Sequence, residues 1–281
     1  MKIIRNCKEL QQSALAWRRE GKCIGLVPTM GFLHAGHLSL IDTARSRADV
    51  VIVSIFVNPT QFAPTEDLDR YPRDFDRDCA LCEEHGVDVI FAPEPGEMYA
   101  PDASTWVQET KLSQPLCGAS RPTFFRGVTT VVAKLFLLAQ PDFAVFGLKD
   151  AQQLFVVRRM VRDLDFPVEI VAGPLVRDSD GLALSSRNRY LSAEERQKAL
   201  AIHRSLQAAR KTIEADGLGG LVAAVRQAKE DIAASGGRVD YVSALDSATL
   251  LAPTVETRQL LLAAAVFYGD TRLIDNELID L

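Results

Sequence analysis

The chain has 281 residues, with 32 Lys+Arg against 37 Asp+Glu and a formal net charge of −5. That acid excess gives nucleic-acid phosphates nothing to hold, which excludes a nucleic-acid binder of the usual basic kind. Hydrophobic residues make up 47% and charged residues 25%, an ordinary globular balance that excludes disordered, collagen-like and coiled-coil classes.

In chain order, β-rich runs at Cys23–Val27, Val50–Val57, Val87–Phe91, Phe143–Gly147 and Val168–Ala172 alternate with helical patterns over 7–20, 38–48, 67–85, 126–139 and 151–163. This alternation predicts an α/β domain with a doubly wound parallel sheet. Ligands of such a sheet bind beyond the carboxyl ends of its strands, so the loops after Val27, Val57 and Phe146 are where chemistry belongs. The pattern changes after residue 175. Ser192-Ala193-Glu194-Glu195 is a capping box opening a helix to Ala215, and Gly217 to Gly220 ends it. A second helix and strands near Val239–Ser243 and Leu260–Phe267 complete a smaller α+β domain. The expected domains are therefore 1–175 and 176–281, the second a lid for the first.

Cys7, Cys23, Cys79, Cys82 and Cys117 are odd in number and scattered, and no signal segment is evident, so the expectation is reduced thiols in a cytoplasmic protein. Cys79 and Cys82 form a C-x-x-C, but Asp74, Asp76, Asp78, Glu83 and Glu84 around them disfavour the thiolate, and packing is the expected role. The uncharged apolar runs near Val50–Val57 and Leu260–Tyr268 are too short to span a membrane.

Two of the four histidines fall in Pro28-Thr29-Met30-Gly31-Phe32-Leu33-His34-Ala35-Gly36-His37, directly after the first strand. An H-x-G-H at the mouth of a helix sets two imidazoles beside unpaired backbone amides and the positive end of the helix dipole, which suits a polyphosphate. Gly36 leaves room for close approach to the backbone. Gly31 to Gly36 has the G-x-x-x-x-G spacing of a phosphate loop, yet His37 and Leu38 stand where Lys and Ser/Thr are required, and no G-x-G-x-x-G exists. Phosphate-loop hydrolase and nicotinamide dehydrogenase readings therefore lose their support.

A second group is Phe146-Gly147-Leu148-Lys149-Asp150, followed by Gln152 and Gln153, in which Lys149 can reach a phosphate. A third is Leu184-Ser185-Ser186-Arg187-Asn188, whose hydroxyls and planar guanidinium also suit phosphate oxygens. Gln61, in Asn58-Pro59-Thr60-Gln61-Phe62, can bond a hydroxyl and a carboxylate together, as a small hydroxy acid requires.

Together with Arg70-Tyr71-Pro72-Arg73, Phe125-Arg126-Gly127-Val128 and Arg272-Leu273-Ile274-Asp275-Asn276, these segments resemble the pantothenate synthetase family along essentially the whole chain. The resemblance implies an ATP-dependent ligase joining pantoate to β-alanine through an acyl-adenylate, a Rossmann-like first domain and a homodimer. It implies that Met30, Gly31, His34, Gly36 and His37 line the ATP site, His37 as proton donor and His34 beside the phosphates. Gly147, Leu148, Lys149, Asp150, Val176, Leu184, Ser185, Ser186 and Arg187 would complete that site, with His37, His34, Lys149 and Arg187 as the catalytic set. Gln61 would bind pantoate and also touch β-alanine, Gln153 would hold pantoate from the other side, and Asp78 would lie near Mg²⁺, the metal brought with ATP. Two departures stand out: Leu148 replaces the family's usual glutamate, and Thr123-Phe124 replaces Gly-His.

H-x-G-H alone also fits a nucleotidyltransferase that leaves its adenylyl group on the product, and Gln61 and Gln153 favour a small acid over it. A tRNA synthetase lacks the basic surface it would need. An ATP-binding sensor would bind nucleotide and release no pyrophosphate.

Overall fold

Strict alternation of apolar side chains produces a sheet covered on both faces. Ile24, Leu26, Val50 and Ile52 enter one core, while Val27, Val51 and Val53 enter another on the opposite side. The computed structural model describes residues 1–64 and 66–281. Its elements are β1 (Lys2–Ile4), α1 (Cys7–Arg19), β2 (Ile24–Thr29), α2 (Ala35–Arg45), β3 (Val50–Ile55), α3 (Phe75–Glu84), β4 (Val89–Phe91), α4 (Pro95–Met98), α5 (Cys117–Ser120) and α6 (Phe124–Ala139). These are followed by β5 (Phe143–Gly147), α7 (Ala151–Asp163), β6 (Glu169–Gly173), α8 (Ala193–Asp216), α9 (Leu221–Ala234), β7 (Arg238–Asp246), β8 (Gln259–Tyr268) and β9 (Thr271–Asp280).

The chain divides into two compact units, Met1–Ser113 with Arg121–Leu148 and Gln152–Leu175, and Gln114–Ser120 with Lys149–Ala151 and Val176–Leu281. The short segment carrying Lys149 and Asp150 thus groups with the second unit.

The first unit holds a six-stranded sheet in the order β1-β4-β3-β2-β5-β6, parallel at every pairing. From β2 the chain winds outward to β3 and β4, then returns to set β5 on the other flank of β2. Gly25 pairs with Phe143 there. That reversal is the switch point of a Rossmann-like, doubly wound sheet, and ligands of such sheets bind at the carboxyl ends of the strands on either side of it, here β2 and β5. Helices α1, α6 and α7 pack on one face through Leu10, Val132, Phe136 and Leu154. On the other, α2 and α3 pack through Leu40, Ile41, Ala44 and Cys82. Gly173 of β6 is needed for this, because a Cβ there would run into the Leu40 side chain of α2.

The second unit is α+β: α8 and α9 lie on the antiparallel sheet β7-β8-β9 through Ile202, Leu206, Ile213, Ala228 and Ile232. The capping box is present, with Ser192 Oγ accepting from Glu195 N and Glu195 Oε2 accepting from Ser192 N.

Two strands escape the sequence pattern. β1 is three residues long, and β9 reads as polar because Asp275 and Asn276 interrupt its apolar alternation. The helix expected over 67–85 starts only at Phe75: Pro72 disfavours helix before it, and Asp74 caps the true start by accepting from Arg77 N. Cys82 is buried and its thiol is pushed up to about 12, chiefly by that burial, which makes it a packing group. Among the described residues no helix is long and apolar enough to cross a membrane.

Candidate active site

The loop after β2 is built around one buried carboxylate. Gly31 has φ +79°, and a Cβ there would sit 2.9 Å from Ile55 Cγ2 and 3.0 Å from Asp78 Oδ2, so only glycine fits. Asp78 Oδ2 accepts from Phe32 N and Oδ1 from Leu33 N, each at 2.7 Å. The residue is 1% exposed, and burial pushes its carboxyl above the usual range despite those two bonds. Asp78, which the resemblance sets near Mg²⁺, here has both oxygens engaged in shaping the loop.

That loop delivers two histidines to the start of α2. His34 is its N-cap: His34 Nδ1 accepts from Gly36 N at 3.2 Å, and His37 Nδ1 accepts from His34 N at 3.4 Å. An imidazole pair thus replaces the usual Ser/Glu capping box. The rings lie 4.0 Å apart, tilted by 31°. With each Nδ1 accepting, a neutral ring carries its proton on Nε2, while the Gly36 and His34 amides are taken up by the caps and the His37 amide donates to His34 O.

Gln61 ends a 3₁₀ turn after β3 and is buried. Its Oε1 accepts from Asn58 Nδ2 at 3.1 Å, and its Nε2 lies 3.1 Å from Met30 Sδ, which joins Met30 and Gln61. Asn58 is held in turn by Tyr99 Oη, donating to Oδ1 at 2.9 Å, and by Gly127 O, which accepts from its Nδ2 at 3.2 Å. Gly127 allows this, since a Cβ there would stand 2.5 Å from Thr60 O. Phe124, at one departure from the family pattern, carries the Arg121 guanidinium 3.8 Å from its ring centroid, and Arg121 Nη2 donates to Gln61 O at 3.2 Å. Leu148, the other departure, packs against the apolar core. Gly147 ends β5, and Gln153 sits half-buried in the first turn of α7, sharing no hydrogen bond with these groups among the described residues.

The second unit assembles a separate share of the expected residues. Arg177 and Ala183 form an antiparallel bridge, and Leu184 N donates to Val176 O at 3.0 Å, so Val176 and Leu184 face each other across a tight hairpin. Its exit strand runs into Ser185, which caps the 3₁₀ turn Ser186–Tyr190 by accepting from Arg187 N at 3.3 Å; Ser186 is buried and Arg187 half-buried. Lys149 and Asp150 pair at 3.3 Å in another 3₁₀ turn. Asn58, Tyr99 and Arg121, which fix Gln61, carry no signal of that role in the sequence beyond the presence of Asn58 in a singled-out segment.

A family model described as pantoate-beta-alanine ligase matches residues 2–278. The chain belongs to the pantoate-beta-alanine ligase family. The pantothenate synthetase of Syntrophobacter fumaroxidans is 52% identical over 277 residues, covering 98% of each chain, and that of Moorella thermoacetica is 51% identical over 280 residues, covering 100% and 99%. Among solved structures, pantothenate synthetase from Thermus thermophilus superposes with a TM-score of 0.91 at 48% identity and 99% coverage of both chains. A pantoate-beta-alanine ligase from Francisella tularensis, described as complexed with β-γ ATP and β-alanine, matches with a TM-score of 0.80 at 32% identity, covering 99% and 97%. The ligase family therefore accounts for both units of the chain.

Proposed function

We propose that this ligase condenses pantoate with β-alanine at the expense of ATP, through a pantoyl-adenylate. In the first step a pantoate carboxylate oxygen bonds to the α-phosphorus, the bridging P–O bond breaks, and pyrophosphate leaves with the electron pair. The carboxylate is already ionised and needs no base. Anion repulsion and charge growing on phosphate oxygens oppose the step, so fixed positive partners supply the rate. The N-cap pair His34 and His37 is the observation that carries this reading, for it sets two imidazoles 4.0 Å apart at the positive end of the α2 dipole. Lys149, Ser185, Ser186 and Arg187 are the phosphate-directed groups of the second unit. Met30, Gly31, Gly36, Gly147, Leu148, Asp150, Val176 and Leu184 line the nucleotide, and Gln61 and Gln153 orient pantoate. In the second step the β-alanine amine, freed of a proton, attacks the acyl carbon, and AMP leaves with the electrons of the C–O bond.

Mg²⁺ accompanies ATP in this reading. Among the described residues no three His, Cys, Asp or Glu side chains form a metal-holding group, and Asp78 is occupied by backbone amides. ATP's own phosphates would hold the ion and the ion would neutralise charge on them, while His34, His37, Lys149 and Arg187 supply the chain's own positive partners. A homodimer in the cytoplasm, implied by the resemblance, belongs to the same proposal, and sedimentation velocity checks the dimer.

The deciding experiment is exchange of labelled pyrophosphate into ATP without β-alanine. Pantoate-dependent exchange supports the adenylate, and its absence in folded enzyme overturns it. Amide formation with AMP release on adding β-alanine excludes a nucleotidyltransferase.

A further inference from the structure

Strand β9 carries a polar pair, Asp275 and Asn276, only 4% and 7% exposed, and neither has a part in the chemistry above. Buried polar groups are costly unless satisfied, so the partners of these two are informative. Successive residues on a strand face opposite ways. Asn276 Nδ2 donates to the backbone carbonyl of Lys149 at 3.0 Å, reaching across 127 residues of sequence. Asp275 takes the fork of Arg177 instead, with Nη1 to Oδ2 at 2.7 Å and Nη2 to Oδ1 at 3.0 Å. Its Oδ1 also accepts from Asn276 N at 2.8 Å, which locks the pair together. Arg177 Nη1 lies 3.3 Å from Gly181 O and so closes the hairpin whose exit strand becomes Leu184–Arg187. The same strand packs on the Ser186–Tyr190 turn.

We propose that Asp275 and Asn276 are positioning residues that hold Lys149 and the Ser185–Arg187 turn in one fixed relation from a single strand. Lys149 is a long, mobile side chain on a short 3₁₀ turn, and its reach is set by where its backbone is anchored. Asn276 supplies that anchor. Asp275, acting through Arg177, does the same for the hairpin. Preorganised groups lose their effect steeply with displacement: a misplacement near 1 Å costs about 10²-fold in rate.

The inference rests on the reading of Lys149 as a phosphate-directed group, and the test separates the two. Asn276→Ala and Asn276→Asp are compared with Lys149→Ala in pantoate-dependent pyrophosphate exchange, with melting curves confirming the fold. Asn276→Asp keeps the size while setting an oxygen against the Lys149 carbonyl, so it serves if the alanine variant folds poorly. The expected result is a drop in kcat of about 10- to 100-fold with the KM for pantoate unchanged, and little further loss when Asn276→Ala is added to Lys149→Ala. A purely structural role would lower stability and multiply with the lysine substitution. Wild-type kcat in folded Asn276 variants, or a full multiplicative loss in the double variant, overturns the positioning role. Wild-type exchange in Lys149→Ala overturns the underlying reading of the lysine, and the inference with it.

Discussion

At the scale of single residues, the candidate site depends on side chains whose polar atoms are engaged on one side and chemically directed on the other. His34 is the clearest case, since its Nδ1 caps α2, an arrangement that sets the proton of a neutral ring on Nε2. If His34 acts as proposed, His34→Ala removes a phosphate-directed donor and is expected to lower turnover by about 10²–10³-fold, with far-UV circular dichroism showing the protein still folded. The accompanying loss of a cap costs only about 1 kcal/mol, too little to unfold a domain of this size. Asp78 is a different kind of residue. Replacing it by Ala leaves the buried N–H groups of Phe32 and Leu33 without acceptors, at about 1–3 kcal/mol each. Relief of the buried charge, which holds its carboxyl above the usual range, offsets part of that. A net loss of about 2 kcal/mol is expected, read from urea unfolding. Were Asp78 a metal ligand alone, the metal-free protein would keep its stability.

Among the elements, α6 determines the seat of Gln61. Gly127 lies under the Asn58–Gln61 turn, and an alanine there would bring its Cβ within 2.5 Å of Thr60 O and 2.7 Å of Gln61 N. The better helix propensity of alanine returns about 1 kcal/mol, whereas overpacking against backbone costs about 1–3 kcal/mol, so overpacking prevails. Gly127→Ala is expected to raise the KM for pantoate more than it lowers the melting temperature; steady-state kinetics with pantoate varied would show this. The elements themselves were legible to different degrees. Strands β2, β3 and β5 and helices α1 and α7 follow their apolar periodicity closely. β9 does not, because its Asp275 and Asn276 are satisfied by Arg177 and by the Lys149 carbonyl, partners that periodicity does not contain.

At the scale of the whole molecule, one core on each face of its sheet supports the first unit and a third core supports the second, whose stability a half-buried histidine ties to pH. His203 lies among Arg177, Asp275 and Glu277, with its Nδ1 3.8 Å from Glu277 Oε1 and no hydrogen-bond partner. Burial first, then Arg177, lowers its pKa below the usual imidazole value. As pH falls through about 6.5 the unfolded chain takes up a proton that the native ring refuses. Stability therefore drops on acidification until the lowered native value is passed, where the slope from this group ends. His203→Gln is expected to flatten that acid-side loss in urea unfolding followed against pH, and an unchanged slope would contradict the assignment.

Local periodicity, capping residues and turn glycines act between neighbours in the chain, and so the alternating strands of the first sheet and the α8 cap could be read without coordinates. Bonds that span the chain could not. Phe32 to Asp78 bridges 46 residues, Tyr99 to Asn58 bridges 41, and Asn276 to Lys149 bridges 127. Each such pairing arises only when the tertiary fold brings its two segments side by side. That is why the part Asp78 plays in shaping the loop, and the bond from Asn276 to the backbone of the lysine that the proposed chemistry needs, were not legible in the sequence.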